Sequence, residues 1–205
     1  MNLGLKGRHA LVIGPSRGLG KAIASAFVGG GMRVAICFRD AGQLATASQQ
    51  SGAEGLICNL AIPDAADEFI RNVEERLGAI HVLVVNTGGP SPVPFCSLSY
   101  ATKRSAFESL AMSDVGAIRA APPSMQTRHL GHVKAVTSGA AKEPVPNLPL
   151  SSSLRAGLHG LVNALMPGYE PTKRLWDLNL DEVQLTSLIP ADGIDRYESC
   201  AATAD

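Results

Sequence analysis

Gly14-Pro15-Ser16-Arg17-Gly18-Leu19-Gly20 lies between the apolar block Ala10-Leu11-Val12-Ile13 and a segment in which Leu19, Ile23, Ala26 and Phe27 recur at helical spacing before Gly29-Gly30-Gly31. Strand, glycine turn and helix in that order form the context in which such a turn cradles a phosphate. Glycine lets the backbone turn tightly and approach a pyrophosphate, and the free N–H groups and positive dipole end of the helix meet the anion. The spacing is G-x-x-x-G-x-G rather than G-x-G-x-x-G, and Arg17 adds a cation that could meet an extra phosphate. A turn needing glycines for steric reasons alone is the competing reading.

Working outward, Met32 to Phe38 reads as a second strand with Arg39-Asp40 at its carboxyl end. In a dinucleotide fold that end reads the adenosine ribose: an acid suits the 2′-hydroxyl, an arginine the 2′-phosphate. Arg39 with Arg17 leans toward NADP(H), Asp40 keeps NAD(H) open, and both arginines could be ordinary surface charges. Ala41 to Gln50 is a polar helix, and Glu54 to Cys58 a third strand ending at Asn59. Pro63 opens an amphipathic helix with Ala66, Phe69, Ile70, Val73 and Leu77 on one side, closed by Gly78.

Ile80 to Val85 reads as the fourth strand, ending in Asn86-Thr87-Gly88-Gly89-Pro90. Ser105 to Ala121 follows as one long helix, with Phe107, Leu110, Ala111, Val115 and Ile118 as its buried side until Pro122-Pro123 interrupts it. Val133 to Thr137 is a fifth strand with Ser138-Gly139 at its end, and a helix starts at Ser151. This alternation predicts a doubly wound parallel sheet with helices on both faces, binding ligands outside the carboxyl ends of its strands.

The chain has 205 residues, 45% of them hydrophobic, which suits one domain over 1–205. Its 18 basic and 18 acidic residues balance, so charge gives no case for nucleic acid or an anionic membrane surface. Cys37, Cys58, Cys96 and Cys200 lack C-x-x-C spacing, and the five histidines lack ligand spacing, so no metal is implied. With no signal core and no apolar run of about 18 residues, the expectation is a cytoplasmic protein that does not enter the membrane.

GPSRGLG, Asn59 after strand three, Asn86-Thr87-Gly88-Gly89 after strand four, Ser138 after strand five and Pro167-Gly168 with Thr172 together resemble the short-chain dehydrogenase/reductase family. Asn86 to Pro90 and Lys142 to Leu148 resemble a divergent subgroup related to 3-oxoacyl-[acyl-carrier-protein] reductases. The resemblance implies a Rossmann-like three-layer αβα fold and an NADP(H)-dependent oxidoreductase acting on a carbonyl/alcohol pair. It implies that Gly14, Ser16, Arg17, Gly18, Leu19 and Gly20 hold the cofactor phosphates. Asn59 and Leu60 would lie by the adenine, Asn86 and Gly88 beside the cofactor ribose, and Pro167, Gly168 and Thr172 near the nicotinamide. Ser138 would orient the carbonyl of a small-molecule carbonyl or acyl substrate.

The departures concern catalysis. The family's tyrosine and lysine, four residues apart on the helix after strand five, are replaced by Ser151 and Arg155; its helix asparagine falls at Ala111, and the threonine before the first glycine is Ile13. A serine hydroxyl is a far weaker acid than a phenol of pKa about 10. A weak or inactive dinucleotide-binding protein of the same fold is therefore the alternative function.

Length departs as well. Only Ala156 to Met166 separates Arg155 from Pro167, and a parallel crossover takes about 10–12 residues or more including its helix. Either Val162 to Met166 is the sixth strand and the helix is stunted, or the helix survives and the strand is lost. Thr172 to Leu178 and Asp181 to Leu188 read as short helices, followed by a C-terminus shorter than the family's. An uncovered sheet edge favours association, here as a homo-oligomer.

Overall fold

The computed structural model describes residues 4–14, 18–62, 64–128, 130–162 and, as backbone alone, 163–165 and 183–188. Six strands, β1 (His9–Ile13), β2 (Arg33–Phe38), β3 (Glu54–Ile57), β4 (Val82–Val85), β5 (Gly131–Val136) and β6 (Val183–Leu188), form one parallel sheet in the order β3-β2-β1-β4-β5-β6. This is the doubly wound Rossmann-like sheet, with its order reversing beside β1, where β1 pairs with both β2 and β4.

Period-two alternation sends side chains of one strand into two cores. Leu11 and Ile13 join Leu83, Val85, Val133 and Ala135 beneath α3 (Ala65–Leu77), α5 (Ser113–Ala120), α6 (Pro122–Thr127) and α7 (Pro149–Leu165). Ala10 and Val12 join Val34 and Ile36 beneath α1 (Gly18–Gly29) and α2 (Ala41–Ser51). The third helix buries its expected face: Ala66, Phe69, Ile70, Val73 and Leu77 are all inside, and Gly78 caps it at φ 89°. Each such large side chain contributes about 1.5–3 kcal/mol over leaving it in water.

Three expectations are corrected. In α1 the buried residues are Gly20 and Ala24, whereas Leu19 and Ala26 are exposed and Ile23 and Phe27 pack only partly. The helix starts at Gly18, two residues earlier than the glycine turn suggested.

The single helix expected over Ser105 to Ala121 is α4 (Tyr100–Ala106), a π-helical turn (Phe107–Met112) and α5. A π turn adds a residue to the turn and rotates everything after it relative to an α-helix. Phe107 is consequently 48% exposed rather than buried, while Asp114 is 1% exposed. Pro122 ends α5 and occupies the first turn of α6, where a missing N–H costs nothing.

Third, the helix from Ser151 survives, running over Pro149–Leu165, and the sixth strand is not lost: it is Val183–Leu188, all of it within the Asp181 to Leu188 segment expected as a helix. The strand and helix indeed do not both fit before Pro167, because the strand comes from farther along the chain. Among the described residues no helix is long and apolar enough to cross a membrane.

Candidate functional site

The carboxyl ends of β1 to β4 surround a cleft of about 600 Å³, lined by Gly14, Arg39, Asn59, Leu60, Asn86, Gly88 and, from beyond β5, Arg155. The same topology that reverses the strand order parts the connecting loops here.

Gly14 follows β1 at φ 73°, and a Cβ there would collide with the Asn86 carbonyl. Asn86 in turn donates its N–H to the Ile13 carbonyl and its side-chain Nδ2 to the Gly14 carbonyl, each at 3.1 Å. The two strand ends are thus stitched together at the mouth of the cleft, which requires glycine at position 14. Gly18, Leu19 and Gly20 form the first turn of α1. Ser16, Arg17, Pro167, Gly168 and Thr172 lie outside the described residues; in chain order the last three come before β6, whereas the resemblance puts such a motif after the sixth strand.

At the β2 end, the Asp40 carboxylate is engaged as the N-cap of α2, accepting the Gln43 N–H at 2.7 Å. Arg39 beside it lines the cleft with an exposed side chain. Asn59 is exposed and accepts the Ala61 N–H at 3.2 Å, and Leu60 is half-buried against the core. Cys37 and Cys58 meet between them: the Cys37 thiol donates to the Cys58 carbonyl at 3.7 Å. The side-chain hydrogen bond between the two thiols raises Cys37, helped by burial, and lowers Cys58.

The other end is built on Arg155, 8% exposed. It donates from Nη1 to the Val136 carbonyl at 3.1 Å and from Nη2 to the Thr87 carbonyl at 2.9 Å, bridging the ends of β5 and β4. Burial lowers its pKa, opposed by the charge of Asp114. Ser151, one turn before it, is 7% exposed, and both lie near Gly89, whose Cβ would come within 3.7 Å of the Ser151 Oγ and of Arg155 Nη2. Ser138 is not among the described residues that line the cleft; its Oγ accepts the Ala140 N–H at 3.2 Å, capping a short turn.

Two features escape the sequence reading. Ser105 before the π turn, Ser109 within it and Ser113 after it form a hydroxyl-bearing wall of the cleft. Behind that wall Asp114 is buried, accepts the Thr87 Oγ1 hydrogen bond at 3.1 Å on Oδ2, and leaves Oδ1 without a partner among the described residues. Burial pushes its pKa up to about 7, against the opposing pull of the Thr87 hydrogen bond and the Arg155 charge. Among the described residues no group of three or more His, Cys, Asp or Glu could hold a metal ion.

Comparison with known proteins agrees with this architecture. The chain is 29% identical to gluconate 5-dehydrogenase of Gluconobacter oxydans over 201 residues, spanning 87% of this chain and 77% of that protein. It is 30% identical to a short chain dehydrogenase of Pseudocercospora fijiensis, covering 93% of this chain and 64% of that one. It is 29% identical to the 3-oxoacyl-[acyl-carrier-protein] reductase MabA of Mycobacterium avium, over 77% of this chain and 60% of that protein. A solved short-chain dehydrogenase from Streptomyces avermitilis superposes with a TM-score of 0.76 at 24% identity, over 90% of this chain and 65% of that one. The short chain dehydrogenase family model matches residues 8–175, and the chain therefore belongs to that family of nicotinamide-dinucleotide oxidoreductases.

Proposed function

We propose that this single-domain chain is an NADP(H)-dependent oxidoreductase acting on a carbonyl/alcohol pair, related in substrate class to 3-oxoacyl-[acyl-carrier-protein] reductases. The observation that carries the reading is Arg39 on the cleft wall with its neighbour Asp40 already engaged at the start of α2. Arg39 there suits a 2′-phosphate, and Asp40 beside it, which also lines the cleft, has one carboxylate oxygen already occupied by the Gln43 N–H. When bound, the cofactor supplies hydride. The chain's own residues would hold it: Gly14 with Ser16 and Arg17 at the phosphates, Asn59 and Leu60 by the adenine, Asn86 and Gly88 at the ribose, and Pro167, Gly168 and Thr172 at the nicotinamide end. Ser138 would orient the substrate carbonyl, and Ser151 and Arg155 would position rather than protonate. Among the described residues Cys37, Cys58 and Cys96 are free thiols, which suits a reducing compartment such as the cytoplasm, and the chain would associate as a homo-oligomer.

One observation favours a binding protein with little turnover. The Arg155 guanidinium is committed to two main-chain carbonyls and the Ser138 Oγ to a cap, so both groups serve structure in this state. Fluorescence titration with NADPH and NADH, followed by nicotinamide absorbance with ketones and 3-oxoacyl thioesters, separates the two. Tighter NADPH binding with substrate-dependent oxidation is expected; binding without oxidation selects the second reading, and no binding removes both.

A further inference from the structure

We infer that Asp114 and Thr87 form a proton-holding pair that delivers a proton to the cleft, doing the work of the family's helix tyrosine, whose position is Ser151 here. The inference rests on the oxidoreductase reading above. Its basis is geometric. Thr87 lines the cleft, and its hydroxyl lies 3.1 Å from the Oδ2 of an aspartate that is 1% exposed. That aspartate has a second oxygen with no partner among the described residues. An ionised carboxylate enclosed with one bare oxygen is costly, whereas a neutral carboxyl is far less so. The neutral form turns the existing hydrogen bond around: Asp114 donates to the Thr87 Oγ, whose own hydrogen is then free to point into the cleft.

The exchange balances. As a carbonyl is reduced, with hydride coming from the reduced nicotinamide, the Thr87 O–H bond breaks toward the substrate oxygen. A new O–H bond forms at Thr87 from the Asp114 proton, leaving Asp114 as a carboxylate. Arg155, fixed between the Thr87 and Val136 carbonyls, supplies the positive charge that makes this carboxylate tolerable. Once product leaves, solvent in the cleft returns the proton along the same route.

The surrounding charges leave Arg155 as the main electrostatic partner. From α7 Arg155 faces Asp114; on α3, Asp67 is paired with Arg119 and Glu74 with Arg128; before α5, Glu108 is paired with Arg104. The pair reaches the cleft because the π turn rotates α5 relative to α4, which is also why the family asparagine position, Ala111, gave no sign of it.

The test is an infrared titration of buried carboxyl groups combined with pH profiles of kcat. A protonated carboxyl that ionises near neutrality and is absent from Asp114→Asn is expected. Reduction should fall about tenfold per pH unit above that point in the parent, and this limb should be missing in Asp114→Asn. Thr87→Val should lower kcat by about 10²-fold with KM unchanged, and Thr87→Ser should restore it. NADPH binding in each variant reports a folded cleft, and the threonine variants decide the matter should Asp114→Asn fail to fold. An Asp114 that ionises in the ordinary carboxylate range, a pH limb unmoved in Asp114→Asn, or full activity in Thr87→Val overturns the inference alone. A parent chain that binds NADPH and reduces no carbonyl overturns it together with the oxidoreductase reading.

Discussion

Arg155 and Thr87, 68 residues apart in the chain, are joined by a 2.9 Å hydrogen bond from Nη2 to the Thr87 carbonyl, and the same guanidinium holds the Val136 carbonyl. One fork therefore ties α7 to the ends of two neighbouring strands. Lysine cannot reproduce it, because an ammonium is a point charge without the rigid fork. Arg155→Lys is expected to lower unfolding free energy by about 1–3 kcal/mol, the cost of leaving a buried acceptor unsatisfied, as measured by urea denaturation.

Restoring the family's acid has a different signature. In a Thr87→Val background, which lacks the Thr87–Asp114 donor, Ser151→Tyr combined with Arg155→Lys should raise turnover by about 10²–10⁴, the usual worth of a positioned acid. Stopped-flow reduction of a ketone substrate checks it, and no gain would place the defect elsewhere in the site.

Stability should depend on pH through Asp114. Its carboxyl is raised from the ordinary value of 3.8 to about 7, so the folded state holds a proton that the unfolded chain releases. Its contribution is complete below about pH 4, is lost as pH rises toward 7 and stays lost above. The loss is on the order of 4 kcal/mol, an upper figure for one group. Asp114→Asn should gain thermal stability relative to the parent at pH 8 and less, or none, at pH 5; an equal difference at both would contradict this.

The β2 end separates recognition from capping. Arg39→Ala should weaken NADPH binding about tenfold while leaving NADH nearly unchanged, the loss expected of one charge-assisted phosphate contact. Asp40→Ala should instead cost about 1 kcal/mol of stability by removing the α2 cap. Parallel titrations and melts of the two variants test this division.

Gly14→Ala should fail at the fold itself. The backbone at φ 73° is strained for alanine, and its Cβ would run into the Asn86 carbonyl, so β1 and β4 must part. A loss of at least about 2 kcal/mol in stability, with NADPH binding weakened more than tenfold, is expected from denaturation and fluorescence.

Much of the fold is legible in the chain because burial writes itself as period. The strands around Leu11, Ile36 and Val84 read as apolar runs since both faces of the sheet are covered, and α3 shows its five buried positions directly. The glycine stretch announced a tight turn between strand and helix, and the structure gives Gly14 a steric reason of its own. Family membership was equally readable, because it rests on the order of short motifs at successive strand ends.

Tertiary structure decided what periodicity does not encode. The phase of α5 depends on a π turn whose extra residue leaves no mark in composition, so Phe107 faces out and Asp114 faces in. The sixth strand depends on which later segment pairs with β5, a choice made by backbone partners rather than by local pattern. Asp40, readable as a ribose ligand, also caps α2 through the Gln43 N–H, a role that only the fold displays. Arg155, readable only as a lost lysine, became the clamp between strand ends, since a buried guanidinium binds whichever distant carbonyls the fold leaves open. The sequence by itself determined five strands of the sheet, most of the helices between them and the cofactor class; three-dimensional packing determined the sixth strand and which polar groups meet behind the cleft, because those polar meetings join residues 19 to 68 positions apart.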